Sequence, residues 1–564
     1  MKFRTLLAAP LALTLALTVT ACGGQTGATG GSSAPSLSAN AQSINAKARD
    51  QIADGGELKL EIGSLADNWN PMNVDGNESD FRRVREPMTG QWFDFAADAS
   101  TKFNKNYLTK EPTATVSDGK LKVEYNLNPK ASWNDGTKIS LADFQATVKA
   151  CNGSDEAFSC ASTEGYDQVD SVAQGATEND IVVNFKATYP DWKALFATGP
   201  ARAESVATAD VFNKGWATLT GHDAWFSGPF KLGKFDETAQ SITLVPNDKW
   251  WGDKPKLERV IFRVVPTEAV PAAYVNNEID AFDIGINADA LVRAQSVTTG
   301  DIRKAAGPNW RHVTLNQDAG LLTDKTIRQA VLMSLDRASI ASSDLAGLNY
   351  EAPVLNNHVF LNGQAQYKDL AKETGLGYDR EKAKKSLEDA GWVVGSDGFR
   401  AKDGKTLELK FTQIKGVKVS ENEAQQVQSQ LKEVGIKVTL VDIASKDFGS
   451  TLSKRTFELI AFTWVGTQFP YASLNQFFNP KSDSNYSGYN NTDVSALITK
   501  ISTEMDQSKR DDYVLQAEKQ IWTDVQIIPL YQRPDQWAVK TTLANYGAFG
   551  LGSPTWENIG FVKV

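Results

Sequence analysis

Residues that could carry chemistry are few in this chain. It has three cysteines and three histidines in 564 residues. His222, His312 and His358 lie far apart with no ligand spacing, so no metal site is expected. No G-x-S-x-G nucleophile elbow is present. GFRAKDGKT (398–406) superficially resembles a phosphate loop, but five residues separate Gly398 from Gly404 where four are needed. The many Asp and Glu residues would permit a carboxylate pair of the glycosidase type, yet nothing in the sequence selects one. The reading is therefore no enzyme and no cofactor.

Binding has better support. TWVGTQFPY (463–471) gathers Trp464, Phe469 and Tyr471 around Pro470 without a single charge. It follows the apolar, strand-like run FELIAF (457–462). The chain has 14 Trp; buried packing explains most, but a surplus also suits a surface that grips ligands through flat apolar faces. Asn68 and Trp69, just after the first strand, are candidate cleft residues, with a surface turn as the alternative. Tyr486 and Tyr489 in SNYSGYNN (484–491) are further candidates, with a polar loop as the alternative.

These residues sit in a chain too long for one core, so two or three domains are expected. With 59 basic against 68 acidic residues, nucleic acid is an unsuitable partner. Lys2 and Arg4 precede the apolar stretch 6–19, which ends in Val19-Thr20-Ala21-Cys22. That sequence resembles a bacterial lipobox, which implies cleavage after residue 21, lipidation of Cys22 and export to the outer face of the membrane. Loss of the leader moves the net charge from −9 to −11, because it carries two basic and no acidic residues. Residues 22–53, rich in Gly, Ser, Ala and Thr, read as a flexible tether. In an exported chain, Cys151 and Cys160 are expected to form a disulfide worth about 2.5 kcal/mol.

Downstream, GELKLEIGSL (56–65) alternates like a strand, and 120–151 reads strand, loop, helix, with Ser140 as N-cap and Asp143 in the capping-box place. Strands follow near 226–246 and 256–266. After residue 312, strands alternate with amphipathic helices at 323–340, 379–392 and 421–434, so the class is α/β. The last 34 residues are too few to stand alone and must complete an earlier unit.

Together these segments resemble the extracytoplasmic solute-binding proteins of ABC importers, family 5, which include oligopeptide- and dipeptide-binding proteins. The resemblance rests on WNDGTKISLADF (133–144), SGPFKL…LVPNDKWWG (227–252), NNEIDAFDI (276–284), LNQDAGLLTDKTIRQAVLMSLDR (315–337), LKEVGIKVTL (431–440) and IIPLYQ (527–532), in the family's order. It implies a two-lobed, Venus-flytrap fold of the large type. Residues 54–90, 215–312 and 532–564 would form lobe I, 91–214 an extra subdomain, and 313–531 lobe II. The crossings would fall near 312–316 and 529–532. The resemblance also implies a monomer that closes over a peptide and hands it to permease subunits. In peptide-binding members an Asp in the loop after Trp464 pairs with the ligand's amine; here Thr467 holds that position. Either another acid substitutes, Asp67 or Glu78 being candidates, or the ligand is an oligosaccharide or other uncharged solute. A secreted hydrolase is the remaining alternative.

Overall fold

The computed structural model describes residues 42–563. The expected leader, Cys22 and the expected tether as far as residue 41 lie outside the described residues. Ten strands form one mixed sheet: β1 Glu57–Ile62, β2 Phe230–Asp236, β3 Ser241–Pro246, β4 Arg259–Val264, β5 Ala281–Asp283, β6 Gly300–Leu315, β7 Glu408–Ile414, β8 Lys437–Ile443, β9 Leu459–Val465 and β10 Ile527–Lys540. Their order is β8-β7-β9-β6-β10-β5-β1-β4-β3-β2. Strands from the C-terminal half thus lie on one side and strands from the N-terminal half on the other. The long antiparallel pair β6 and β10 joins them.

Local sequence accounts for the elements. In β1 the alternating Leu58, Leu60 and Ile62 are buried against Phe81, Val84 and Phe262. The helix Leu141–Cys151 starts at Ser140, whose backbone N–H donates to the Asp143 carboxylate at 2.8 Å, the expected capping box. The helix Lys325–Ser334 is capped by Asp324 and buries Ile327, Ala330 and Val331. A separate four-stranded antiparallel sheet (Thr113–Ser117, Lys120–Asn126, Val169–Gln174, Asp180–Phe185) packs Val123, Tyr125 and Val183 over Phe144 and Phe196. Its first hairpin turns at Asp118-Gly119, both with positive φ, as a two-residue primed turn requires. Cys151 and Cys160 are bonded beside it, with Cα atoms 5.8 Å apart.

The expected tether does not extend to residue 53. Residues 42–53 dock on the C-terminal segment: Ser43 N–H donates to Ala548 O at 2.9 Å, and Ala53 N–H to Phe561 O at 2.8 Å. Ile52 is fully buried. Partnered backbone groups and that apolar contact offset the ordering entropy, and neither is visible in the segment's own composition.

Candidate ligand cleft

The register of the sheet locates the cleft. β9 ends at Val465, opposite Asn309 of β6. β5 ends at Asp283, opposite Trp537 of β10. These carboxyl ends approach each other along the crossing pair from opposite directions. Between them the ladder breaks: Ala306 pairs with Pro534 and Trp310 with Gln532, so residues 307–309 bulge against Arg533. Ligands of open α/β sheets bind outside the carboxyl ends of the strands, which here is above residues 306–310 and 532–536.

The bulge is tied to the loop that follows β9. Gly466 N–H donates to Pro308 O at 2.8 Å, and Gln532 Nε2 donates to Gly307 O at 2.7 Å. Position 307 must be glycine, because a Cβ there would stand 2.8 Å from Arg533 O. In the loop, Thr467 is exposed and its hydroxyl accepts only from Phe469 N–H, at 3.3 Å. Gln468 Nε2 donates to Leu551 O at 3.0 Å, and Phe469 meets Phe95 edge-on at 5.9 Å.

Trp464 is less open than a ligand platform requires. Its indole lies parallel to Tyr486 and His312, with centroids 5.8 Å away, and stacks on Phe477 at 4.4 Å. Its Nε1 has no partner among the described residues. Tyr486 stays half-buried at the rim of this cluster.

Three expected contacts are corrected. Trp69 is fully buried against Phe81 and Phe235, so it belongs to the core. Asn68 is buried and committed to its own turn: Oδ1 accepts from Asn70 N–H at 2.8 Å and Nδ2 donates to Asn213 O at 3.0 Å. Tyr489 is buried and its hydroxyl donates to Asp524 at 2.9 Å. Asn68 and Tyr489 thus have their polar groups bonded inside the protein, and the Trp69 ring is packed there, its Nε1 buried without a partner among the described residues. Asp67 and Glu78 are exposed.

Charges that the sequence reading did not select gather at these strand ends instead. Arg83 Nη1 donates to Glu61 at 2.9 Å at the end of β1 and lies 5.4 Å over the Trp537 ring. Burial pushes the Glu61 carboxyl up despite Arg83. On β10, Arg533, Asp535 and Trp537 alternate as partly exposed residues with buried Gln532, Pro534 and Gln536. Asp535 accepts from Trp537 Nε1 at 2.8 Å and Gly550 N–H at 3.0 Å. Its carboxyl is pushed up to about 7, first by burial and then by the charge of Asp283. Arg311 forms a buried ion pair with Glu423. The signal available in the sequence was the alternation YQRPDQW (531–537), read only as the close of a motif. Among the described residues, no group of three or more His, Cys, Asp or Glu side chains is placed to hold a metal, and no helix is long and apolar enough to cross a membrane.

Two half-sheets joined by a pair of crossing strands, with a polar cleft at their facing carboxyl ends, define a two-lobed binding protein. The chain belongs to the bacterial extracellular solute-binding proteins, family 5, whose pattern matches residues 65–485. It is 34% identical over 525 residues to the oligopeptide-binding protein OppA of Mycobacterium tuberculosis, covering 92% of this chain and 87% of that one. It is 25% identical over 438 residues to the oligopeptide-binding protein AppA of Bacillus subtilis, covering 76% and 78%. Among solved structures, the periplasmic EDTA-binding protein EppA superposes with a TM-score of 0.83 at 24% identity, covering 94% of this chain and 99% of EppA. Bacillus subtilis AppA in complex with a nonapeptide superposes with a TM-score of 0.70 at 20% identity, covering 91% and all of that chain.

Proposed function

We propose that this chain is the lipid-anchored receptor of an ABC importer, capturing oligopeptides between its lobes and delivering them to the membrane permease. The match to mycobacterial OppA over nearly the whole chain carries this reading. Residues 54–90, 215–312 and 532–564 form lobe I, 91–214 its extra subdomain and 313–531 lobe II, with the docked segment 42–53 added to lobe I. The bulge at 307–309 opposite Arg533 serves as the hinge, where a broken ladder lets the lobes rotate. Cys22 carries the lipid and holds a monomeric receptor on the outer face of the membrane. The Cys151–Cys160 bond suits that oxidising location. Binding rests on backbone hydrogen bonds, which are indifferent to peptide side chains. Nothing in this reading requires turnover of the ligand.

An uncharged solute such as an oligosaccharide is the second reading, favoured by Thr467 in the amine-anchor position. The charged face of β10 weighs against it, because desolvated charges are costly without a charged partner. Native mass spectrometry of the full chain purified from rich medium distinguishes the two. A ladder of bound masses spaced by amino-acid residues is the expected result; a single glycan-like mass would overturn the peptide reading.

A further inference from the structure

Arg533 stands out among the interior arginines. Arg85, Arg303, Arg328, Arg337, Arg400 and Arg510 each donate to a carbonyl or carboxylate. Arg533 Nε is buried with no acceptor, and the guanidinium forms no ion pair among the described residues. Arg533 lies at the centre of the crossing strand, opposite the bulge and between the facing carboxyl ends of β5 and β9. The side chain is half-buried, so its head remains within reach of the cleft. Gly285 is its neighbour: a Cβ there would sit 3.8 Å from Nη2, an ordinary contact distance.

The surrounding charges narrow the chemistry. Arg311 is already neutralised by Glu423. Asp283 is near enough to act on Arg533 through charge without bonding to it, and Asp535 lies two residues along the same face. A dianion such as phosphate would meet both acids. A carboxylate has one charge and two coplanar oxygens, which match the guanidinium fork.

We propose that Arg533 is the anion anchor of the cleft and binds a carboxylate of the ligand, its C-terminal carboxylate or an acidic side chain. This rests on the peptide reading and deepens it: the ligand is held by its carboxylate from the hinge strand, not by its amine from the loop at Thr467.

The test compares the full-length wild type with Arg533→Gln and Arg533→Lys by isothermal titration calorimetry. The probes are a nonapeptide without acidic side chains, its C-terminal amide, and the amide carrying one internal Glu. The wild type should bind the free acid roughly 10- to 100-fold more tightly than the amide. In Arg533→Gln that ratio should fall to near one, and Arg533→Lys should restore part of it. Recovery of affinity by the internal Glu would assign the subsite to an acidic side chain. A ratio that survives in Arg533→Gln, with all three proteins melting alike, overturns the anchor and leaves the peptide reading standing. If no peptide binds, metal–EDTA is titrated instead. Arg533-dependent binding then overturns the peptide reading and keeps the carboxylate subsite, while no response to either probe overturns both.

Discussion

The contact most open to a quantitative test is the ion pair between Arg510 and Asp191. Arg510 Nη1 and Nη2 donate to the two Asp191 oxygens at 2.8 and 2.6 Å. The side chains are 4% and 13% exposed, and the guanidinium lies 3.9 Å from the centroid of the Tyr471 ring. Asp191 falls in the proposed extra subdomain and Arg510 in proposed lobe II, so on that division the pair bridges the lobes and is expected to form on closure. Asp191→Ala leaves Arg510 buried and unpaired in the closed form, whereas in the open form water solvates it. Breaking such a pair costs about 3 kcal/mol, and here the whole cost falls on closure. Ligand affinity should then weaken roughly 100-fold, while the melting temperature without ligand changes little. Calorimetry measures the first effect, and small-angle scattering should show a larger radius of gyration in the variant at sub-saturating ligand. Affinity and radius both matching wild type would refute the latch. A double-mutant cycle with Arg510→Ala checks the assignment, because the two changes should be strongly non-additive.

Three further outcomes are expected. Thr467→Asp places a carboxylate on the exposed loop and should strengthen binding of peptides with a free N-terminus, leaving N-acetylated peptides unaffected; equal effects on both would move the amine elsewhere. Cys22→Ala should release the chain from the membrane fraction into the soluble one, and continued retention there would refute the lipobox reading. Asp344 accepts from Tyr531 Oη at 2.9 Å and its carboxyl is pushed up to about 7, first by burial and then by the charge of Glu423. Its folded pKa exceeds its unfolded value, so the fold binds extra proton between about pH 4 and 7 and loses stability as pH rises through that window. Thermal melts of Asp344→Asn should therefore gain on wild type from about pH 4 to pH 7 and level off above it, and a pH-independent difference would contradict this.

The sequence by itself determined the class, the family and most of the elements. Periodicity and capping are local: Ser140 with Asp143, and the buried stripe Ile327, Ala330 and Val331, follow from neighbours within a turn or two. The order of the family's segments is also written along the chain. What only the tertiary structure decided is which polar and aromatic residues are spent inside. Trp69, Asn68 and Tyr489 are occupied by partners 12 to 166 positions away, at Phe81, Asn213, Phe235 and Asp524, pairings that no local pattern specifies. Residues 42–53 looked like tether because their partners, Ala548 and Phe561, lie at the other end of the chain. Arg533 was unremarkable within YQRPDQW until the bulge of β6 and the ends of β5 and β9 placed it, half-buried and alone among the interior arginines of the described residues, without an acceptor. Side-chain chemistry is local information, but whether a charge is satisfied depends on contacts between residues hundreds of positions apart, and those exist only in the folded chain.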